Sequence, residues 1–195
     1  MFTSDGASIS GFARAYLTHT AEILRAVDEN SIGSFVEALM ATRTARGTVW
    51  LMGNGGSAAT ANHFANDLAI GVKSRPAFRA VSLAANSSVL TAVGNDFGYE
   101  EIFTRQLQDR VEPNDIVVGI SASGRSPNVV RALKLGRSVG ATTVAITGFD
   151  GGDLRDLADI AVHAQTSQGE YGPVEAVHTV LLHIVSNYLM LRCRG

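Results

Sequence analysis

The sequence predicts an α/β protein, a parallel sheet with helices packed on both faces. Two observations carry this. Five short, continuously apolar runs recur along the chain: TVWLMG (48–53), FRAVSL (78–83), DIVVGIS (115–121), TTVAITG (142–148) and DIAVHA (159–164). Unbroken runs of this kind suit strands covered on both faces. Stretches of helical periodicity separate them, and strands that alternate with helices pair in parallel through crossover connections.

Two helices are expected ahead of the first strand. Over 8–27, Ile9, Phe12, Tyr16, Leu17, Ile23, Leu24 and Val27 recur at helical spacing. A second pattern over 32–45 carries Phe35, Val36, Leu39 and Met40 before Gly47 ends it. Between the strands, helices are expected over 58–70, 87–93, 100–111, 127–139 and 153–158, and a long amphipathic helix over 173–191 closes the chain. No linker or charge run divides the sequence. Residues 1–47 therefore read as a helical pair joined to a 48–195 core within a single domain.

Composition narrows the functional classes. Hydrophobic residues make up 46% and charged residues 17%, the profile of a packed domain and not of a disordered chain. Glycine is frequent, 20 of 195 residues, but it follows no three-residue period and stands beside only 4 prolines, which excludes collagen and linker-like chains. The 16 basic residues stand against 18 acidic ones with no basic block, so a nucleic-acid partner has no electrostatic support. The opening MFTSDGASIS lacks a charged region followed by an apolar run, and no window of about 18 apolar residues is free of charge, so neither a secretory signal nor a membrane span is expected. The lone Cys193 cannot form an internal disulfide, which fits a cytoplasmic location.

Two loops carry the strongest chemical signal. GNGGS (53–57) follows the first strand and opens a helix. Its glycines let backbone approach a ligand, and the helix start offers free N–H groups to an anion. It is neither a GxGxxG fingerprint nor a Walker loop. A plain tight turn is the alternative, but open parallel sheets place ligands at this end of their strands. SASGRS (121–126) repeats the arrangement: Ser121, Ser123 and Ser126 offer hydroxyls, Gly124 lets N–H groups converge, and Pro127 suits a first helical turn. Such a loop is a neutral phosphate cradle or merely a serine-rich helix cap. Two of them in one chain favour the cradle.

Three further patterns carry titratable groups. His63 and Asp67 share a helix face at i, i+4, as metal ligands, as an acid–base pair or, more commonly for such pairs, as a surface contact. In GEYGPVEAVHTVLLH (169–183), Glu175 and His183 lie on one side of a helix but about 12 Å apart along its axis. Both meet one metal only if long side chains converge or one ligand comes from another subunit. His178 and His183 point about 140° apart, so one of them is a core residue or a support for ligands. His19 and His163 have no partner pattern and read as structural. GNDFGYEEIF (94–103) places Asn95 and Asp96 in a turn between helices, either as turn chemistry or as a polar wall for sugar hydroxyls.

In order along the chain, MGNGGSAATANHFANDL (52–68), VGNDFGYEEIF (93–103), GISASGRSPNV (119–129) and TGFDGG (147–152) resemble the motifs of the phosphoheptose isomerases of the SIS (sugar isomerase) superfamily, over about residues 50–191. The resemblance implies a flavodoxin-like three-layer sandwich with a five-stranded parallel sheet, a homotetramer with active sites at subunit interfaces, and a phosphosugar substrate. It implies that Asn54, Gly55, Gly56 and Ser57 approach the substrate, that Ser121, Ala122, Ser123 and Ser126 hold its phosphate, and that Asn95, Asp96 and Glu175 contact it. His63 and His183 match zinc ligands. The chain departs from the family pattern at several positions. Asp67 stands for a glutamate, Glu175 for a glutamine, Ala122 for a threonine and Arg125 for an asparagine, and Gly172, Pro173, Val174 and Glu175 replace an Asp-Arg-Ile-Gln run. Every ligating position keeps a ligating group, so His63, Asp67, Glu175 and His183 read as a variant Zn²⁺ site.

The implied reaction converts sedoheptulose 7-phosphate to D-glycero-D-manno-heptose 7-phosphate through an enediol(ate), with a carboxylate (Asp67 or Glu175) as base and His183 as acid. Two alternatives remain open at this level: an isomerase or epimerase of another phosphosugar, and a non-catalytic phosphosugar-binding module.

Overall fold

The computed structural model describes residues 8–193. Helix α1 (Ile9–Ala26) starts at Ser8, whose hydroxyl accepts a hydrogen bond from the Gly11 N–H at 3.2 Å. Asp28 caps α2 (Glu29–Thr44) in the same way, through the Asn30 N–H. The chain then runs β1 (Thr48–Gly53), α3 (Gly56–Asn66), β2 (Arg79–Ser82), α4 (Ser87–Phe97), α5 (Thr104–Leu107), β3 (Ile116–Ser121), α6 (Pro127–Val139), β4 (Thr142–Thr147), α7 (Gly152–Leu157), β5 (Ile160–His163) and α8 (Tyr171–Arg192).

All five strands are parallel, in the order β2-β1-β3-β4-β5. Alternation along the strands divides the core in two. Val49, Leu51, Ile116, Val118 and Ile146 meet α1, α2, α3 and α8 through Ile23, Phe35, Leu39, Phe64, Val177 and Leu181. Trp50, Met52, Val117 and Ala145 face the other way, against Leu107 of α5, Val129 and Leu133 of α6 and Leu154 of α7. The three layers expected from the sequence are therefore present. Helix α8 is long and apolar enough to span a membrane, but Val174, Val177, Leu181, Val185 and Leu189 along it are buried.

Several expected elements differ in detail. The outer strand β2 is shorter than 78–83 and half exposed, because it pairs with β1 alone and no helix covers its second face fully. The helix expected over 58–70 gives way at Asp67 to a π-turn (Asp67–Gly71), closed by the Val72 N–H donating to the Asp67 carbonyl at 2.8 Å. The segment 100–111 is no continuous helix: a 3₁₀ turn (Tyr99–Glu101) and the single turn of α5 carry it. Its helical pattern is nonetheless real, since Ile102, Phe103, Leu107 and Val111 are all buried. Asn95 and Asp96 lie not in a turn but in the last turn of α4, which Gly98 ends at φ +97°.

One buried carboxylate ties the strand starts together. Asp115, 4% exposed, accepts from the Thr48 N–H at 2.7 Å, from Trp50 Nε1 at 2.8 Å and from the Glu112 N–H at 2.9 Å. Removing it leaves three donors without their acceptor. Asp115→Ala is expected to lower unfolding stability by about 2–4 kcal/mol in urea titration, and Asp115→Asn, which keeps one acceptor oxygen, by less.

Candidate active site

Strand order reverses between β1 and β3, since the chain leaves β1 toward β2 and returns to place β3 on the other side. Carboxyl-end loops diverge at such a reversal and leave a crevice. GNGGS follows β1 and SASGRS follows β3, so both flank that crevice.

The two loops are joined through amides. Asn54 and Asn128 exchange two hydrogen bonds of 2.9 Å, and Tyr99 donates its hydroxyl to Asn54 Oδ1 at 2.9 Å. In the second loop, Ser121 Oγ accepts from the Gly124 N–H at 3.1 Å and contacts Ser126 Oγ at 3.1 Å, while Ser123 Oγ accepts from the Arg125 N–H at 3.3 Å. The three serines line a small cavity of about 140 Å³, walled also by Asn54, Ser57, Ala122, Tyr171 and Glu175. A larger cavity of about 560 Å³ adjoins it across Asn54 and Ser126, lined also by Tyr99, Asn128 and Arg131. Glycine makes the close approach possible. A Cβ on Gly56 would stand 2.3 Å from Glu175 Oε2, so the bare first turn of α3 is what admits the Glu175 carboxylate.

A second cluster lies further along the same two helices. His63 Nε2 is 3.6 Å from Asp67 Oδ1 and 3.5 Å from His183 Nε2, and the rings of His63 and His183 meet edge to face at 4.9 Å. Ligand atoms from all three residues lie within 4.8 Å of one another. Two imidazoles and a carboxylate are zinc-type donors, and three protein ligands leave positions open for substrate oxygen. By its chemistry this donor set fits zinc.

The structure does not gather Glu175 with these three. Eight residues of α8, about 12 Å of axial rise, separate it from His183, so a fourth ligand from Glu175 still requires converging side chains or another subunit. Glu175 belongs to the cradle end and His183 to the cluster end. Asn95 and Asp96 are exposed, bonded to each other at 2.9 Å, and line neither cavity beside the cradle.

Of the two histidines that point apart on α8, His178 is the core residue. It is 1% exposed, and neither ring nitrogen has a hydrogen-bond partner among the described residues. Burial pulls its pKa from 6.5 down to about 4, so the ring is neutral at pH 7. His163 at the end of β5, also lowered by burial, contacts Thr147 Oγ1 at 3.0 Å. His19 contacts Glu170 Oε1 at 3.0 Å and links α1 to the start of α8.

Tyr99, Asn128 and Asp150 also shape the site. All three fall inside the motifs, but nothing local marks them. Their partners are Asn54 for the first two and Arg125 for Asp150, and chain folding supplies those contacts. The one available clue is Asn128, a polar residue in the first turn of an otherwise apolar buried helix face.

The SIS domain model matches residues 15–148 of this chain, which defines its class. The chain is 37% identical to a phosphoheptose isomerase of Trichlorobacter lovleyi, over 81% of this chain and 80% of that protein. It is 42% identical to one of Akkermansia muciniphila, over 74% and 76%. The solved phosphoheptose isomerase of Neisseria gonorrhoeae superposes with a TM-score of 0.83 at 27% identity, covering 93% of this chain and 98% of that one. The chain belongs to the phosphoheptose isomerase family of SIS domain proteins.

Burial of neutral His178 has a pH consequence. Its folded pKa lies below the unfolded value, so the unfolded chain binds more protons between about pH 4 and 6.5. Stability present above pH 6.5 is therefore lost as the pH falls toward about 4. Urea titrations across that window should show a decline that His178→Leu flattens.

Proposed function

We propose that this chain is an aldose–ketose isomerase of a phosphosugar, and that it converts sedoheptulose 7-phosphate to D-glycero-D-manno-heptose 7-phosphate. One observation carries the proposal: a serine-walled cavity and a His/Asp/His cluster stand at opposite ends of one helix pair, α3 and α8, in a chain related to phosphoheptose isomerases. In this reading Ser121, Ser123, Ser126 and nearby N–H groups hold the phosphate, and Asn54 and Ser57 line its approach. The phosphate supplies binding energy remote from the reacting carbons and orients the sugar.

The chemistry moves one proton between C1 and C2. A carboxylate takes the proton beside the carbonyl, giving an enediol(ate), and returns it to the neighbouring carbon. His183 moves the proton on the sugar oxygens. Asp67 is the leading base, since it stands beside His63 and His183, and Glu175 is the alternative. His63, Asp67 and His183 would hold zinc, which when bound stabilises negative charge developing on the sugar oxygens.

Asp67 and Glu175 work on the same substrate if the cradle of one subunit meets the cluster of another. We therefore include a homotetramer with shared sites in the proposal. Ile9 and Leu17 of α1, and Ile184, Tyr188 and Leu191 of α8, are large apolar residues left exposed on the single chain, as surfaces that pack against other subunits would be. The cytoplasmic location expected from the sequence goes with this reading. A second phosphosugar is favoured by one feature, the carboxylate of Glu175 in the cradle wall, and a panel of ketose phosphates compares the two substrates directly.

Asp67→Asn is expected to lower kcat by about a hundredfold or more when product is followed by NMR. Full turnover in that variant would transfer the base to Glu175. Undiminished turnover in both Asp67→Asn and Glu175→Gln would overturn the enediol scheme. Untagged protein is expected to carry zinc, and His63→Ala to lose it. Wild-type protein that is active yet takes up no added zinc would remove the metal from the proposal.

A further inference from the structure

The cradle loop contains one charged side chain, Arg125, and it does not line the cavity it belongs to. Its guanidinium reaches sideways to the loop that follows β4. Nη1 and Nη2 each donate to a different carboxylate oxygen of Asp150, at 2.6 Å, and Nη1 also approaches the Ser123 carbonyl at 3.3 Å. The parallel fork is the strongest geometry open to an Arg–carboxylate pair. The guanidinium beside Asp150 holds that carboxyl down at about 2, so the pair is charged on both sides throughout the physiological range.

The two loops are already in close backbone contact. The Gly148 N–H donates to the Ala122 carbonyl at 3.1 Å and the Leu154 N–H to the Gly124 carbonyl at 3.0 Å. Gly124 has φ +64°, and a Cβ there would lie 1.8 Å from the Gly151 carbonyl oxygen. The loop between Ser123 and Ser126 is thus held at its base by backbone, and the Arg125–Asp150 fork links side chains across its outer edge. Ser123 and Ser126, on either side of Arg125, are two of the serines that wall the cavity.

We propose that Arg125 is a positioning residue for anion binding: through its fork to Asp150 it braces the 123–126 segment in the conformation that presents the cradle, and its charge does not itself contact the phosphate. This rests on the reading of residues 121–126 as an anion cradle. The rival role, a direct electrostatic contact to the phosphate, makes opposite predictions at Asp150. If Arg125 braces, losing either partner loosens the cradle, and losing both is no worse than losing one. If Arg125 acts by charge, freeing it from Asp150 should tighten binding. Lysine keeps the charge but cannot fork, so it separates the same two roles.

The test measures inorganic phosphate binding by calorimetry, which needs no turnover, alongside KM and kcat for the phosphosugar. Bracing predicts that Arg125→Ala, Arg125→Lys and Asp150→Ala each weaken phosphate binding and raise KM by about three- to fivefold, the range of a well-formed exposed ion pair. It predicts that kcat stays unchanged and that the Arg125→Ala/Asp150→Ala double variant matches the singles. A general loss of folding would lower kcat or active fraction as well, so the KM-against-kcat split separates positioning from a merely structural role. Tighter phosphate binding in Asp150→Ala, wild-type behaviour in Arg125→Lys, or additive loss in the double variant would overturn the proposal. Wild-type protein that binds no phosphate would overturn the cradle reading itself, and the brace with it.

Discussion

The constraint on which the site depends is the straight rise of α8. A helix advances about 1.5 Å per residue, so the backbone positions of Glu175 and His183 are held about 12 Å apart along its axis. The helix cannot easily shift, because Val177, Leu181, Val185 and Leu189 seat it in the core and His178 is buried beneath it. Helix α3 packs alongside, with Gly56 against Glu175 at one end and His63 against His183 at the other. Two packed helices therefore carry two separate half-sites, which the proposed function assigns to an anion and to proton transfer.

The sheet supplies the first half-site. Reversal of strand order between β1 and β3 opens the crevice, and the two loops that flank it are stitched by Asn54 and Asn128. Neither loop offers a formal positive charge to the cavity. In the proposed function the cradle instead relies on hydroxyls, N–H groups and a helix start, which would hold a phosphate by direction more than by net charge. Glycine is placed where bulk would close these approaches, at Gly56 under Glu175 and at Gly124 against Gly151. The glycine surplus seen in the sequence acquires a physical purpose at those two points.

Much of the fold was legible because its signals are local. The buried central strands β1, β3 and β4 are continuous apolar runs and stand close to where those runs lie. Departures arise where a local pattern has more than one solution. Ile102, Phe103, Leu107 and Val111 keep helical spacing while the backbone bends between them, since burial repeats even where hydrogen bonding does not. The π-turn at Asp67 leaves apolar spacing almost unchanged and gives no sequence sign. At the site, His63 and Asp67 were readable as an i, i+4 pair, whereas His183 joins them only through packing of α8 on α3. Glu175 shows the limit most clearly. The sequence left it both a metal-ligand and a substrate-contact role, and chain folding sets its carboxylate in the wall of the cavity beside Ser121 and Ser123.

In the proposed homotetramer, the cradle of one subunit and the cluster of a neighbour act on one sugar phosphate. Subunit complementation tests this most directly. A cradle variant, Ser123→Asp, and a cluster variant, His183→Ala, are each made inactive and then co-expressed so that mixed oligomers form. The account predicts that activity returns in the mixture, because some sites pair an intact cradle with an intact cluster from another chain. Mixed oligomers that form and remain as inactive as either parent would contradict it.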